Sequence, residues 1–330
     1  MTSAGLARAA AFLAVGIAFP FVFPAAWLVN IGVLTLMYAA LATSWNLFSG
    51  YTGYVTLGQV AFFGLGAYTE AIVFEHVAIG SGYNPFYVLP LIGTGVALAS
   101  LPVAWIALRT RAMTFAIVTL TLLFIVQQLA FNLHSVTHGS SGLMLPTPTT
   151  FGVDTYDQPF YFAMLGILCV ALLLCFGILR SKLGLMLLAV REDEEKARGL
   201  GIRVTGAKLT AWWLHVFVTA MVGAVWAYYL TFIYPESSVD PLVMIGAVLM
   251  TFLGGRGTLW GPVIGALVLV PAQQYMLIHL GGGEGYLIGY AAVFVVVLLL
   301  MPRGILPSLR DVVLRTRERR RTRRMEARPA

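Results

Sequence analysis

Long apolar runs separated by short polar segments make up most of the chain. A membrane-spanning helix needs about 20 predominantly apolar residues. On this pattern we predict ten spans, at residues 6–23, 26–48, 60–77, 86–108, 113–131, 159–179, 209–230, 242–253, 259–280 and 286–302. The eighth run has only about 12 residues, or roughly 18 Å of helix, against a hydrocarbon core of about 30 Å. We therefore predict that it is half a membrane helix, ending within the protein.

Glycines interrupt two of these apolar regions, one in each half of the chain. The first reads GYTGYVTLGQVAFFGLGAY over residues 50–68, and the second joins spans eight and nine. In a membrane helix, glycine permits close backbone approach or a break beside a cavity, and a pair of such segments indicates a translocation site. Because Gly257, Gly261 and Gly265 recur at every fourth position, we predict that they share one helix face. The residues assigned to helix packing or hinges are Gly50, Gly53, Gly58, Gly64, Gly254, Gly255, Gly257, Gly261 and Gly265.

Composition and charge place the protein in a membrane and orient it. The chain is 59% hydrophobic and 11% charged, whereas a soluble domain carries about 25% charged residues. If the N-terminus is inside, all 21 Lys and Arg residues fall on the inner side of the ten spans, as the positive-inside rule requires. We predict an all-α membrane domain over residues 1–305 with both termini cytoplasmic, an inner loop at about 180–208, and a basic cytoplasmic tail over 306–330 that is attracted to anionic lipid.

Few residues in the spans are suited to chemistry. The sequence has no GxxxxGK[ST] nucleotide loop, no metal cluster and no nucleophile–base pair, so we expect no catalytic residue, no metal and no cofactor bound by this chain. Glu70, which follows the first glycine region, either lines a pore or is solvated by an outer vestibule. A transport role is favoured, with energy from an ion gradient or from another subunit.

The inner loop carries a short motif. Glu195 and Ala197 give E-x-A, and Gly201 follows four residues after the alanine. This resembles the coupling motif of ABC importer permeases, a short cytoplasmic helix that seats on the ATPase, although Lys196 stands where alanine is usual. The alternative is an ordinary charged loop.

Larger blocks extend the resemblance over residues 34–305. Asn46-Leu47 leads into the first glycine region, and further blocks are HGSSGLMLPTP at 138–148, RSKLG and REDEEKARGLGI within 180–202, GGRGTLWGPVIGA at 254–266 and PRGI at 302–305. With them the chain resembles the LivM-type permeases of branched-chain amino acid ABC importers. It departs from the family at Gln59, often His, and at Thr56, often Ser, which bears on the substrate.

The resemblance implies a permease that imports branched-chain or other amino acids across the bacterial cytoplasmic membrane by alternating access. Its partners would be a homologous LivH-like permease, two cytoplasmic ATPases that bind ATP and Mg²⁺, and an extracytoplasmic solute-binding protein. The alternatives are an ABC permease for urea, short amides or another small amino or carboxylic acid, an ion-coupled secondary carrier, and a membrane-embedded enzyme.

Two sets of residues are assigned roles on this basis. The set expected to couple to the ATPase is Arg191, Glu192, Glu195, Ala197, Gly199 and Gly201. The set expected to line the pathway is Asn46, Thr52, Thr56, Gln59, Phe62, Phe63 and Glu70. The two phenylalanines would form an apolar constriction, and the alternative for them is ordinary helix packing.

Overall fold

The computed structural model describes residues 3–77, 80–148, 150–152, 155–280, 289, 291–292, 295–296 and 304–308. Over these residues the fold is helical, apart from one pair of two-residue strands. The α-helices are α1 (Ser3–Val22), α2 (Ala26–Trp45), α3 (Gln59–His76), α4 (Asn84–Ala107), α5 (Ala112–Asn132), α6 (His134–Thr137), α7 (Asp157–Arg180), α8 (Lys182–Glu192), α9 (Glu194–Gly199), α10 (Val204–Leu230), α11 (Pro235–Ser238), α12 (Pro241–Gly254) and α13 (Gly261–Leu280). A π-helical turn over Asn46–Gly50 prolongs α2, and strand β1 (Leu143–Met144) pairs antiparallel with β2 (Phe232–Ile233).

Seven of the ten predicted spans are confirmed as helical segments long and apolar enough to cross a membrane. They are Ala26–Gly50, Asn84–Ala107, Ala112–Asn132, Asp157–Arg180, Val204–Leu230, Pro235–Gly254 and Gly261–His279. The protein is therefore an all-α, multi-pass membrane protein. The total of ten spans and the cytoplasmic position of the termini stay predictions, because span ten lies largely outside the described residues, as does most of the 306–330 tail.

Three predicted spans differ from expectation. The eighth run is α12, only 14 residues long, but α11 precedes it and Pro235–Gly254 reaches 20 residues, enough to cross a membrane. The helix itself is therefore short, as predicted, and its ending within the protein stays a prediction. Span three is an 18-residue helix, α3, whose glycines and glutamates dilute its apolar character. In α1, the described apolar part is the shorter stretch Phe12–Val22.

The core forms around α10, which packs against α3 and α4. Glycine sets the approach of α3 and α10, because a Cβ at Gly66 would meet the carbonyl of Ala220, and one at Gly223 would meet the carbonyl of Phe63. Backbones this close are characteristic of membrane helix pairs joined through small residues.

The segments predicted to lie on opposite sides of the membrane separate to opposite ends of the bundle. At one end, the pairing of β1 with β2 joins the 132–158 loop to the end of α10, and the hydroxyl of Tyr228 accepts a hydrogen bond from the Gly82 backbone at 2.8 Å. At the other, Lys208 at the start of α10 lies 3.4 Å from the carbonyl of Leu108 at the end of α4. This basic end also holds α8 and α9.

Candidate functional site

The basic end contains two short helices, α8 and α9, that meet at Asp193. Ser181 caps α8 by accepting a hydrogen bond from the Gly184 backbone. Asp193 caps α9, where its Oδ1 accepts from the backbone N–H groups of Glu195 at 3.1 Å and Lys196 at 3.0 Å. The bond from the Lys196 backbone is the main reason that the pKa of Asp193 is lowered. Asp193 therefore ends one helix and caps the next.

The end of α9 has a glycine cap. Gly201 has φ of +80°, and the backbone N–H of Ile202 donates to the carbonyl of Ala197 at 3.2 Å, a geometry that favours glycine after a helix. Ala197 is buried against Val190 and Val204. Of the residues predicted to couple, Ala197 therefore anchors α9. Glu195 and Gly199 on α9 are exposed, as are Arg191 and Glu192 at the end of α8.

Glu194 ties α9 to the membrane helices. Its carboxylate oxygens lie 3.0 and 3.1 Å from Nζ of Lys208, and it accepts further bonds from Arg198 at 2.9 Å and from the Tyr54 hydroxyl. Lys208 is buried, with 1% of its side chain exposed, and its Nζ lies 4.2 Å from the centre of the Tyr54 ring. Burial acts to raise the pKa of Glu194, but the bonds from Tyr54 and Lys208 and the charges of Lys208 and Arg198 hold that pKa below its ordinary value.

Two arginines bind the carbonyls exposed where α2 ends. Helix C-termini leave backbone carbonyls without partners in the helix. Arg191 Nη1, from α8, donates to the carbonyl of Gly50 at 2.9 Å. Arg256 Nη2, from the second glycine region, donates to the carbonyls of Ser49 at 2.7 Å and Gly53 at 3.1 Å. Thus α8 and the second glycine region are both bonded to the break between α2 and α3.

Asn46, in the π-helical turn that leads into the first glycine region, is bonded to the second. Its Oδ1 accepts from the Gly257 backbone at 2.7 Å, and its Nδ2 donates to the Thr258 carbonyl at 2.9 Å. Gly257 has φ of +81° and precedes α13, so the prediction that it shares a helix face with Gly261 and Gly265 is wrong. Those two do lie in α13.

The remaining predicted hinge glycines lie at tight contacts. A Cβ would meet the Asn46 side chain at Gly50, the Thr119 carbonyl at Gly58, the carbonyl of Ser238 at Gly64, the carbonyl of Gly261 at Gly254, and the carbonyl of Met250 at Gly265. Gly53 and Gly255 have φ of +81° and +119°, which L-residues rarely adopt. The glycines therefore serve either close approach or a left-handed backbone.

Every residue predicted to line the pathway is buried within this chain, between 0% and 2% exposed. The polar atoms of several are bonded to nearby backbone. Thr52 donates to the Phe48 carbonyl at 2.8 Å, and Gln59 Nε2 donates to the Leu41 carbonyl at 2.8 Å. Phe62 and Phe63 pack in the core. A pathway role for these residues stays a prediction.

Two of these side chains have an oxygen without a hydrogen-bond partner among the described residues, Gln59 Oε1 and Glu70 Oε2. Glu70 lies on α3, the helix that α10 contacts most closely. A carboxylate at membrane depth is costly without partners. Such oxygens mark positions where water or a polar solute would be accepted.

The sequence analysis missed a buried polar cluster beside Gln59. The Ser44 hydroxyl lies 2.9 Å from His215 Nδ1 and 2.7 Å from the Thr219 hydroxyl, and Gln59 Nε2 lies 3.4 Å from the same Thr219 oxygen. His215 is fully buried in α10 and its Nε2 has no partner. A histidine in the middle of an apolar span was the signal available.

The chain is similar to known transport proteins along most of its length. The family model described as branched-chain amino acid transport system / permease component matches residues 27–302. Two curated relatives, from Salmonella typhimurium strain LT2 and Escherichia coli strain K12, are named high-affinity branched-chain amino acid transport system permease protein LivM. Each is 28% identical, over 91% of this chain and 74% of the relative. No solved structure matches the chain.

Proposed function

Because the chain belongs to the family of permease components of branched-chain amino acid transport systems, we propose that it imports branched-chain or related amino acids across the bacterial cytoplasmic membrane. It is the membrane permease subunit of an ABC importer. To this role we add the substrate, the bacterial cytoplasmic membrane, the inward direction of transport and alternating access as proposals. The matched LivM relatives bear a branched-chain amino acid name, and Gln59 and Thr56 are the two positions that bear on the exact substrate.

The proposed partners are a second, homologous permease, two ATPases that hold ATP and Mg²⁺, and a solute-binding protein on the opposite face. The α8–α9 end would face the cytoplasm and seat on an ATPase. Leu200, directly after α9, supports this assignment, since 82% of it is exposed next to Gly199 and Gly201 and close to the charged Arg198. Insertion of this side chain into a groove on a partner would remove its apolar surface from water, which is favourable.

One observation carries the coupling proposal: the helices that would contact the ATPase are bonded to the helix break. Arg191 reaches the carbonyl of Gly50 at 2.9 Å, and Glu194 accepts from Tyr54 four residues further along. Movement of α8 and α9 on ATP binding would thus pull on the segment between α2 and α3. This permease would then alternate between inward-open and outward-open shapes, while tight capture of the substrate belongs to the binding protein.

The class and the substrate can be tested together. The chain is isolated with its bound subunits and reconstituted into vesicles with ATP on the ATPase side and the binding protein on the other. We expect ATP-dependent uptake of radiolabelled leucine, reduced by excess valine or isoleucine and unaffected by urea. Accumulation against a gradient by the chain alone, or uptake that is inhibited by urea and not by amino acids, would contradict the proposal.

The docking assignment is tested by Leu200→Ser, with Leu185→Ser as a matched control. Leu185 lies in α8 and is 69% exposed. Burying a leucine contributes about 1.5–3 kcal/mol, so Leu200→Ser should weaken ATPase binding by about tenfold or more, without loss of membrane insertion. The control should bind normally. Equal binding by both variants would refute a docking role for Leu200.

A further inference from the structure

The exposed face of α5 carries a stripe of polar side chains along the depth of the membrane. Thr114, Thr121, Gln128 and Asn132 are all exposed. At 3.6 residues per turn they lie within an arc of about 40° on the helix, and the first and last are about 27 Å apart along its axis. The stripe therefore covers most of a hydrocarbon core of about 30 Å.

Exposed residues on two other spans are different. From Pro90 to Ile106 the exposed residues of α4 are apolar, and so are those of α7 from Gly166 to Leu179. These faces suit lipid. Thr121 and Asn132 each donate one hydrogen bond within α5, to the carbonyls of Ile117 at 3.0 Å and Gln128 at 2.7 Å. Lipid offers no partner to the remaining polar groups of the asparagine or to the Gln128 amide, so the α5 stripe is poorly suited to it. Moreover, α5 has the fewest buried residues of the seven candidate spans, 22% of its most apolar window, compared with 67% for α10.

The stripe borders a groove and lies beside the coupling machinery. The groove has a volume of about 340 Å³ and is lined by Thr121, Phe124, Ile125, Gln128, Leu129 and Asn132. On the opposite side of α5, the Thr119 hydroxyl accepts from the Leu57 backbone at 3.0 Å. Leu57 belongs to the helix break that Arg191 and Arg256 bind, so movement of the break would reach α5 directly.

We propose that the exposed face of α5 lines the water-filled translocation pathway, with the second permease forming the opposite wall. The inference rests on the proposed transport function. Neutral amides and hydroxyls can replace water around the ammonium and carboxylate groups of an amino acid without capturing it, and the apolar residues of the groove suit a branched aliphatic side chain. The exposed face of α5 would then contact the solute.

The test measures water access in the assembled transporter in vesicles, after the native Cys169 and Cys175 are replaced by alanine. Cysteine is introduced singly as Thr121→Cys and Gln128→Cys, and as Leu173→Cys for an apolar control that is 68% exposed on α7. Each variant is treated with a charged, membrane-impermeant methanethiosulfonate and, separately, with a lipid-soluble maleimide. The α5 cysteines should react with the charged reagent more than about tenfold faster than the control, because hydrocarbon excludes charge, and excess leucine should slow them.

Two outcomes would overturn the inference. Reaction of the α5 cysteines with the maleimide alone would place this face in lipid. Reaction with neither reagent, combined with cross-linking to another chain, would make it a dry protein contact. Labelling reports water access whether or not solute is transported. Normal leucine uptake without charged labelling would therefore contradict only the role of α5, and labelling without ATP-dependent uptake would contradict the proposed function.

Discussion

Removal of the Glu194 carboxylate should destabilise the protein more than removal of its partner ammonium. Glu194→Ala leaves the Lys208 ammonium in a site where 1% of the side chain is exposed. In the described part of the chain, the Leu108 carbonyl at 3.4 Å and the face of the Tyr54 ring at 4.2 Å then remain beside it. Lys208→Met, by contrast, leaves a carboxylate that is 22% exposed and still bonded to Arg198 at 2.9 Å.

These differences set the magnitudes. Removing one member of a buried ion pair costs about 3–5 kcal/mol of stability. Because Lys208 keeps some contacts, we expect Glu194→Ala to lower the free energy of unfolding by about 3 kcal/mol. For Lys208→Met, the loss of a charged hydrogen bond is partly offset by burial of the methionine, which leaves about 1 kcal/mol. The double variant lacks both charges and should lose much less than the sum of about 4 kcal/mol. The pair therefore has a coupling energy of about 2 kcal/mol.

Thermal unfolding in detergent provides the assay. Cys175 is fully buried, so a dye that becomes fluorescent on reaction with thiols reports its exposure as the protein unfolds. The midpoint should fall most for Glu194→Ala, and Lys208→Met and the double variant should lie closer to wild type. Equal losses in the two single variants, or an additive loss in the double variant, would refute the assignment of Lys208 as a buried cation that depends on Glu194.

Other consequences concern pH, glycine and the Asn46 bridge. The pKa of Glu194 is lowered from its ordinary 4.5, so its stabilising contribution is present above about pH 4.5 and is lost as pH falls through the folded-state pKa. Glu194→Gln should therefore flatten this part of a curve of stability against pH. An unchanged curve would contradict the pairing with Lys208. Gly223→Ala should cost about 1–3 kcal/mol, because its Cβ meets the Phe63 carbonyl, whereas Gly95→Ala, with no atom within 4 Å, should leave monodisperse yield on size-exclusion chromatography unchanged. Asn46→Ala should lose about 1–3 kcal/mol from two unpaired backbone groups and lower uptake; wild-type melting and uptake would show that the bridge is dispensable.

The apolar pattern predicted most spans because it depends only on composition over 20 residues. The sequence also indicates the break between α8 and α9, since Asp193 is followed by Glu194 and Glu195, a typical start of a capped helix. The position of Gly257 was readable too, because Pro262 occupies the first turn of α13, where proline marks a helix start. That proline is stronger evidence for the helix start than the four-residue glycine spacing is for a shared helix face.

Contacts between distant segments could not be predicted from the sequence. Lys208 was placed in the inner loop, and no local pattern indicates that it is buried against Tyr54 and Glu194. The cluster of Ser44, His215 and Thr219 could not be predicted for the same reason, since α2 and α10 are separated by more than 150 residues. Such pairs depend on how helices pack, and a single sequence carries no record of that packing.

The helix break itself explains how α8 can be coupled to the membrane domain. In a continuous helix each carbonyl is occupied by the N–H four residues further along, so an outside arginine has no free acceptor. The π-helical turn over Asn46–Gly50 and the irregular chain up to Gln59 release the carbonyls of Ser49, Gly50 and Gly53, and Arg191 and Arg256 occupy them. The glycines at 50 and 53 thus act as acceptor sites that the break exposes, in addition to allowing the turn. A continuous helix here would leave Arg191 of α8 without a backbone acceptor.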